Sequence, residues 1–523
     1  MKKEMHVSQD KFVFVNNQEK LHDKGLVTKP ISYFKDALNR FKRNKGSIVA
    51  AYIIGFLLLF AIIVPFATPY SVSYNDIYYS YCQPESRIMS ATGINFMDGC
   101  KKVSSPKETY YLHYAMGQET GELAIKNNKV EKTDVMLPNK KTVERYVYRL
   151  NSVHSTGVVY KNVNLEEYQA IQAYQDEHNV QIIYPITEPD KRPAAPQDKT
   201  NANYWYETQN VNGKTEAVNV TADPTTGELT FVNIYREYTG KDMYTSKMRI
   251  EDGKQYDYAE LTQNDTAYKI RIHYYEYYKY YHAEILKDRI KEPVFIFGTD
   301  NQGKDLLTCL SSGARFSFVL AIVVATVNLI VGAIYGAIEG YYGGKIDLIM
   351  ERFVEILSAV PFMIVITLLK YHMGGSSHLL VLFISFFLTG WIGMAGRTRM
   401  QFYRFKNQEY VLASRTLGAK DLRIMFKHIF PNALGTLITS CVLVIPGMIF
   451  SETSLSYLGI INLSTGSMTS VGTLLANGQS FLTTYPYMVV SPAVFISLLM
   501  LSFNLFGNGL RDAFNPSLRG SED

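Results

Sequence analysis

The run IVAAYIIGFLLLFAIIVPF, residues 48–66, decides the fold class. It sits inside a charge-free stretch, residues 46–75. A helix rising about 1.5 Å per residue needs roughly 20 apolar residues to cross a bilayer's hydrocarbon core. Forty-five residues precede the stretch, too many for the n-region of a signal peptide, and the apolar run exceeds the usual h-region. It therefore reads as a membrane span. Four more charge-free runs follow, at 316–338, 374–396, 429–451 and 488–505. A further segment, 356–369, has only 14 residues between Glu355 and Lys370. It spans if residues 349–355 form its first turns, with their charges near headgroups or facing protein. The reading is six spans, with 356–369 third in chain order.

Working outward, the loops orient these spans. FKDALNRFKRNK, residues 34–45, is strongly basic and places the N-terminus in the cytoplasm. Residues 397–427 hold eight Lys or Arg against Glu409 and Asp421, whereas 453–487 hold none. Alternating six spans from an inside start puts the basic loop inside, the uncharged loop outside and both termini in the cytoplasm. The expected divisions are a cytoplasmic segment 1–45, a first span 46–69, an extracellular insertion 70–297, a membrane core 298–510 with a cytoplasmic loop 397–432, and a cytoplasmic tail 511–523.

This division explains a whole-chain average that misleads. The 523 residues are 47% hydrophobic and 19% charged, with mean hydropathy −0.06. Such values exclude disorder and a disulfide-dense miniprotein, yet they average a basic membrane body with a weakly acidic insert. The insert carries 27 basic and 31 acidic residues and 28 of the 39 tyrosines. Its pattern is α+β. Residues 215–238 predict two alternating strands around the turn Asp223-Pro224-Thr225-Thr226-Gly227. Residues 165–186 predict a helix and then a strand. Tyr274, Tyr277, Tyr278 and Tyr281 recur at helical spacing, as a contact surface for peptide or a binding protein, as a core stripe, or as an interfacial belt. Cys82 and Cys100, in an oxidising location, suggest a disulfide by compartment and parity; the alternative is two free thiols. Cys309 and Cys441 read as small apolar residues of the spans.

The loop EYVLASRTLGAKDLRIMFKHIFPN, residues 409–432, has internal logic beyond its charge. Residues 409–416 predict a short helix. Gly418 permits a sharp turn or the close approach of another backbone. Asp421 can cap a second helix whose Leu422, Met425, Phe426 and Ile429 form an apolar face. Pro431 marks the start of the next span. Two short helices around a glycine on the membrane surface suit the docking of a cytoplasmic partner. Glu452, at the outer end of the fifth span, either lines a translocation path or binds amides of the following loop. Glu351, Arg352 and Glu355 read as a local charge group. His372 and His378 share a short loop without the other ligands of a metal site, so no metal is expected. The nearest approach to a phosphate-binding loop, Gly343-Gly344-Lys345, is followed by Ile346, so the chain has no evident means of holding ATP.

These residues resemble a known family. Residues 409–432 are similar to the EAA loop of ABC importer permeases, with Ala413, Gly418 and Pro431 on the pattern. Leu412, Ser414, His428 and Phe430 depart from it. The longer match, E-Y-V-x-A-[AS]-R-x-x-G-A, resembles the oligopeptide/dipeptide branch, with Glu409 and Arg415 in the recurring places. GTDNQGKD, residues 298–305, is similar to the segment opening the second span of OppC-type subunits, with Lys304 for Arg. SETSLSYLG, residues 451–459, resembles the motif after the fifth span. The Ser-Trp-Gly-Thr that follows it in the family appears as Ser470-Val471-Gly472-Thr473, and 505–520 resemble the C-terminal motif.

The resemblance implies an OppC/DppC-type permease subunit: an all-α membrane protein of six helices with the type I ABC importer fold, here carrying an inserted extracellular α+β domain. It implies import of oligopeptides or dipeptides, with nickel chelates or oligosaccharides as alternative cargo. The implied partners are an OppB-like second permease, two OppD/OppF-like ATPases holding ATP and Mg, an OppA-like binding lipoprotein, and the lipid bilayer. No cofactor on this chain, no enzymatic activity of its own and no nucleic-acid partner are expected. The implied coupling residues are Glu409, Ala413, Ser414, Arg415, Gly418, Ala419, Asp421 and Pro431. Two rivals from other classes remain: a membrane-tethered extracellular receptor or enzyme, and a secondary transporter, for which no broken-helix repeat is apparent.

Overall fold

The computed structural model describes residues 33–136, 142–191, 201–240, 254–262, 267–373, 377–464 and 468–514. Of the expected cytoplasmic segments 1–45 and 511–523, residues 1–32 and 515–523 lie outside the described residues. The membrane body begins with helices α1 (Tyr33–Arg43) and α2 (Lys45–Ala67). Asn44 starts the second by accepting a hydrogen bond from the Ser47 amide at 3.2 Å, one of the amides a helix start leaves free. α2 is apolar on all sides, and Tyr52, Phe56 and Phe66 on its outer side are exposed, as a lipid-facing helix requires.

The chain then builds the inserted domain, in two halves. In the first, α3 (Arg87–Ala91) precedes β1 (Cys100–Ser105), α4 (Lys107–Thr120), β2 (Ile125–Met136) and β3 (Thr142–Asn151). The antiparallel sheet has the order β1-β3-β2. Alternation along β3 turns Tyr146, Tyr148 and Leu150 onto Tyr110, Ala115 and Met116 of α4, so one sheet face is covered. The second half contains β4 (Val158–Val163), α5 (Leu165–His178) and β5 (Ile183–Tyr184). Short pairs follow: β6 (Thr208–Val211) with β7 (Lys214–Ala217), and β8 (Thr221–Ala222) with β9 (Leu229–Thr230). The half closes with β10 (Ala259–Leu261), β11 (Tyr268–His273) and α6 (Tyr274–Tyr280), extended by one π-helical turn, Tyr281–Leu286. β11 is central, between β10 and β4.

The predicted helix and strand over 165–186 form as α5 and β5. The turn at Asp223–Gly227 also forms, its carboxylate accepting from the amides of Thr225 at 2.7 Å and Thr226 at 2.9 Å. The strands beside it are shorter than the alternation suggests. The tyrosine stripe packs into the core: Tyr277 and Tyr278 are buried, Tyr274 and Tyr281 half-buried, and Tyr274 donates to Asp76 at 2.7 Å. A buried ion pair joins the two halves. Arg271 of β11 donates to both oxygens of Glu119 of α4 at 3.0 Å, and to the carbonyls of Ala202 and Pro185. Both side chains are fully enclosed.

Five described helices, or composites, are long and apolar enough to cross a membrane. After α2 these are α7 (Leu306–Tyr342), the composite of α10 (His378–Gly390) and α11 (Ile392–Phe405), the stretch 421–457 and α16 (Tyr487–Phe514). Between α7 and α10 lie α8 (Gly344–Ser358) and α9 (Phe362–His372), bent by 71°. The third expected span is therefore not one straight helix. Pro361 stands at the break, where it cannot continue the hydrogen-bond ladder of α8. Residues 349–355 belong to α8 rather than serving as the first turns of α9, and the count is six only if the bent pair is one span.

The insert is seated on one end of this body. Tyr81 stacks on Tyr485 with ring centres 4.5 Å apart and planes 14° apart, and Lys101 lies over the same ring at 5.6 Å. Tyr487 donates to the Thr299 carbonyl at 3.0 Å. The motif at 298–305 folds against the chain leaving α2. At Gly303, φ is +75° and a Cβ would stand 1.8 Å from the Asp76 carbonyl oxygen, so only glycine fits.

The disulfide expectation is corrected here, because both thiols are free. Cys82 is drawn into an aromatic cluster with Tyr79 and Phe295, and its thiol donates to the Ser152 carbonyl at 3.8 Å. Cys100 opens β1 opposite Asn151. Burial pushes both thiols up to about 12, which keeps them protonated at neutral pH.

Candidate coupling site

The site lies at the end of α7 opposite the insert. α7 starts at the insert's base, where Asp305 caps it by accepting from the Thr308 amide at 2.8 Å. Its 37 residues extend roughly 55 Å at about 1.5 Å per residue. Tyr341, at the far end, meets the loop.

α12 (Glu409–Thr416) forms as predicted and ends at Gly418. The Ala419 amide bonds the Ser414 carbonyl at 3.1 Å, and the Gly418 amide bonds the Arg415 carbonyl at 2.9 Å. That is the paired helix closure requiring a left-handed residue, and Gly418 supplies φ +81°. A Cβ there would meet nothing within 4 Å. The glycine therefore serves the turn and presents an open tip; no backbone of this chain approaches it closely.

α13 (Asp421–Arg423) then passes through a π-helical turn, Ile424–Ile429, into α14 (Phe430–Tyr457). The wider turn changes which side chains face inward. Ile424, Met425 and Ile429 are buried with Val411, Ala337, Tyr341 and Phe402. Leu422 and Phe426, expected on the buried face, are exposed. Leu417, beside Gly418, is also exposed, at 88%.

Asp421 does not cap the second helix. Lys420 holds that position, and the Asp421 carboxylate accepts from the Tyr341 hydroxyl at 2.6 Å. Arg415 donates to the same hydroxyl at 3.3 Å, with its guanidinium 5.6 Å from the ring centre. Tyr341 thus ties both short helices to α7, and sequence reasoning missed it; only its place one turn beyond the predicted span hinted at a role. Glu409, Ala413 and Pro431 are exposed, Ser414 donates to the Tyr410 carbonyl at 2.8 Å, and Ala419 is half-buried. Pro431 stands in the first turn of α14, as expected.

A charged node braces the same end. Arg399 of α11 donates to both oxygens of Asp347 at 2.7 and 3.0 Å, and pairs with Glu351 at 3.0 Å and Glu339 at 3.5 Å. Lys406 donates to the Gly340 carbonyl at 2.9 Å. Arg352 and Glu355 pair locally, as expected, but Glu351 is committed to another helix. Glu452 is enclosed. It accepts from Ser317 of α7 at 3.1 Å and from Ser456 at 3.0 Å, and lines one small cavity together with Leu320, Val324 and Phe386. α15 (Val471–Gln479), capped by Ser470, packs beside α14.

The arrangement holds a two-helix unit against a membrane helix through Tyr341 and leaves its tip at Gly418 exposed. Comparison with known proteins follows the same division. Residues 329–520 match the family described as the binding-protein-dependent transport system inner membrane component. Residues 32–84 match the N-terminal TM domain of oligopeptide transport permease C. The oligopeptide transport system permease protein OppC of Bacillus subtilis (strain 168) is 44% identical over 223 residues, 43% of this chain and 72% of that protein. The dipeptide transport system permease protein DppC of Lactococcus lactis subsp. cremoris (strain MG1363) is 39% identical over 230 residues, 44% of this chain and 65% of that protein. Among solved structures, the inward-facing MetNI methionine ABC transporter is 15% identical, covering 40% of this chain and 96% of that chain, with a TM-score of 0.33.

Proposed function

The chain belongs to the OppC/DppC family of ABC importer permeases, and from that premise we propose that it is the transmembrane subunit through which an ATP-driven importer takes up oligopeptides or dipeptides. A second homologous permease completes the pathway, two ATPases dock from the cytoplasm, and a lipoprotein delivers the peptide. Both termini face the cytoplasm, and the insert, 70–297, faces outward. The observation that carries the coupling role is the exposed tip at Gly418, flanked by Leu417, Leu422 and Phe426 and anchored through Tyr341. Closure of the ATPases displaces this unit, and its bonds to Tyr341 pass the displacement into α7. The switch between outward and inward access is then a shift between two helix arrangements, driven by the ATPases' different affinity for each.

Gly418→Leu tests the reading. Any side chain is strained at φ +81°, and a large one blocks the tip. The expected result is loss of ATP-dependent uptake of a radiolabelled dipeptide and of ATPase co-purification, with the fluorescence of Trp205 in the insert unchanged. Full uptake by this variant refutes the docking role. Absence of ATP-dependent uptake of both labelled dipeptides and labelled oligopeptides by the unaltered transporter refutes the peptide cargo.

A further inference from the structure

One face of the β1-β3-β2 sheet is covered by α4; the other is open. Alternation puts Lys102, Arg145 and Arg149 on that open face. Lys102 stands directly opposite Arg149, a like-charge pairing that weakens a sheet. The register of β2 adds two more cations. Ile125 pairs with Leu150, and the next pair is Val130 with Tyr148. Residues 126–129 therefore bulge out opposite Arg149 alone, with Asn127 at φ +57°. The bulge brings Lys126 and Lys129 to a groove whose empty volume is about 1120 Å³, open solvent included, lined also by Lys102 and Arg149.

One buried carboxylate, Asp98, answers part of this charge. Arg149 donates to its two oxygens at 2.7 and 2.8 Å, and Lys126 donates at 2.7 Å. Among the described residues, Lys102 and Lys129 have no ion-pair partner. The Arg149 Nε is enclosed and has no hydrogen-bond partner. The only carboxylate among the groove's lining residues is Glu131. Clustered cations raise the local concentration of anions and stabilise whichever one bridges them.

We propose that this groove is a binding site for a small multivalent oxyanion, of the phosphate or phosphate-ester class, held by Lys102, Lys126, Lys129 and Arg149. The anion relieves the repulsion of the row and accepts from the exposed ammonium groups of Lys102 and Lys129, which Asp98 leaves unpaired. The site is independent of the coupling loop and of the transported cargo.

The test is calorimetric titration of the full chain in lipid nanodiscs with pyrophosphate and, separately, with glycerol 1-phosphate at fixed ionic strength. The reference variant is Lys102→Gln/Lys129→Gln, whose two positions are solvent-exposed. Saturable binding of either probe, weakened at least tenfold in the double variant with an unchanged near-UV circular dichroism spectrum, supports the site. A response to pyrophosphate alone identifies a free oxyanion as the ligand, and a response to glycerol 1-phosphate a lipid-type headgroup. Absence of saturable binding by both probes, or a loss of affinity of less than tenfold in the double variant, overturns it. Should the double variant misfold, Lys129→Glu, placed on the exposed bulge, is held to the same criterion.

Discussion

At the scale of single residues, the insert depends on groups whose charge state is set by burial. Arg271 and Glu119 are both fully enclosed. Removing one charge strands the other in low dielectric, an effect of about 3–5 kcal/mol. Glu119→Gln is therefore expected to destabilise the insert by about that amount, read from the urea midpoint of Trp205 fluorescence in the full chain. Trp205 reports on this region because its indole donates to Ala115 of α4 at 3.0 Å. The buried histidines fix a pH dependence. Burial pushes His273 down to about 3 and His113 down to about 4, against an unfolded value of about 6.5. Below that value the unfolded chain binds protons that the folded insert refuses. Stability is thus full above pH ~6.5 and is lost progressively as the pH falls toward 3. Asp305, pushed up to about 6 by burial, works in the opposite sense. Comparison with His273→Gln isolates the histidine: the variant is expected to lose less stability between pH 7 and 4.5, and an identical loss contradicts the assignment.

At the scale of elements, close helix packing matters more than side-chain chemistry. Gly332, Gly336 and Gly340 recur every four residues along α7, and α11 lies directly on them. A Cβ at Gly336 would stand 2.1 Å from the Ala395 carbonyl oxygen. Small residues in this spacing let two membrane helices approach closely. Gly336→Ala is expected to separate α7 from α11 and lower the thermal midpoint in detergent, at a penalty of about 1–3 kcal/mol. Gly393→Ala, which meets nothing within 4 Å, is expected to leave the midpoint unchanged. Legibility in the sequence divides along the same line. Helix starts at Asn44, Asn164 and Asp305 and the end at Gly418 rest on local hydrogen bonds, so local sequence announces them or agrees with them. The buried face of the 421–429 segment rests on a π-helical turn chosen by packing against Tyr341 and Phe402, and a 3.6-residue period mistakes it.

At the scale of the molecule, α7 connects the insert's base to the loop at 409–432, and the insert is also clamped to the segment before α16. Tyr81 holds φ +62°, unfavourable for a bulky residue, and keeps it while stacked on Tyr485. Tyr485→Ala is expected to remove the stack and the Lys101 contact together, loosening the insert. Limited proteolysis of the reconstituted protein measures this: faster cleavage near residues 81–101 is the expected outcome, and an unchanged rate shows that the remaining contacts suffice to seat the insert.

The sequence by itself determined the membrane body, the inserted α+β domain and the two-helix loop around Gly418. Each follows from local periods, charge and turn chemistry, which act over a few residues. Only the tertiary structure decided the bend at Pro361, the free thiols of Cys82 and Cys100, the anchoring of Asp421 and Arg415 on Tyr341, and the cationic row across three strands. Those depend on which distant segments meet: residue 341 with 415 and 421, and 102 with 149 and 126. Contacts over such separations are set by the packing of whole helices and the register of a sheet, which no local stretch of sequence contains.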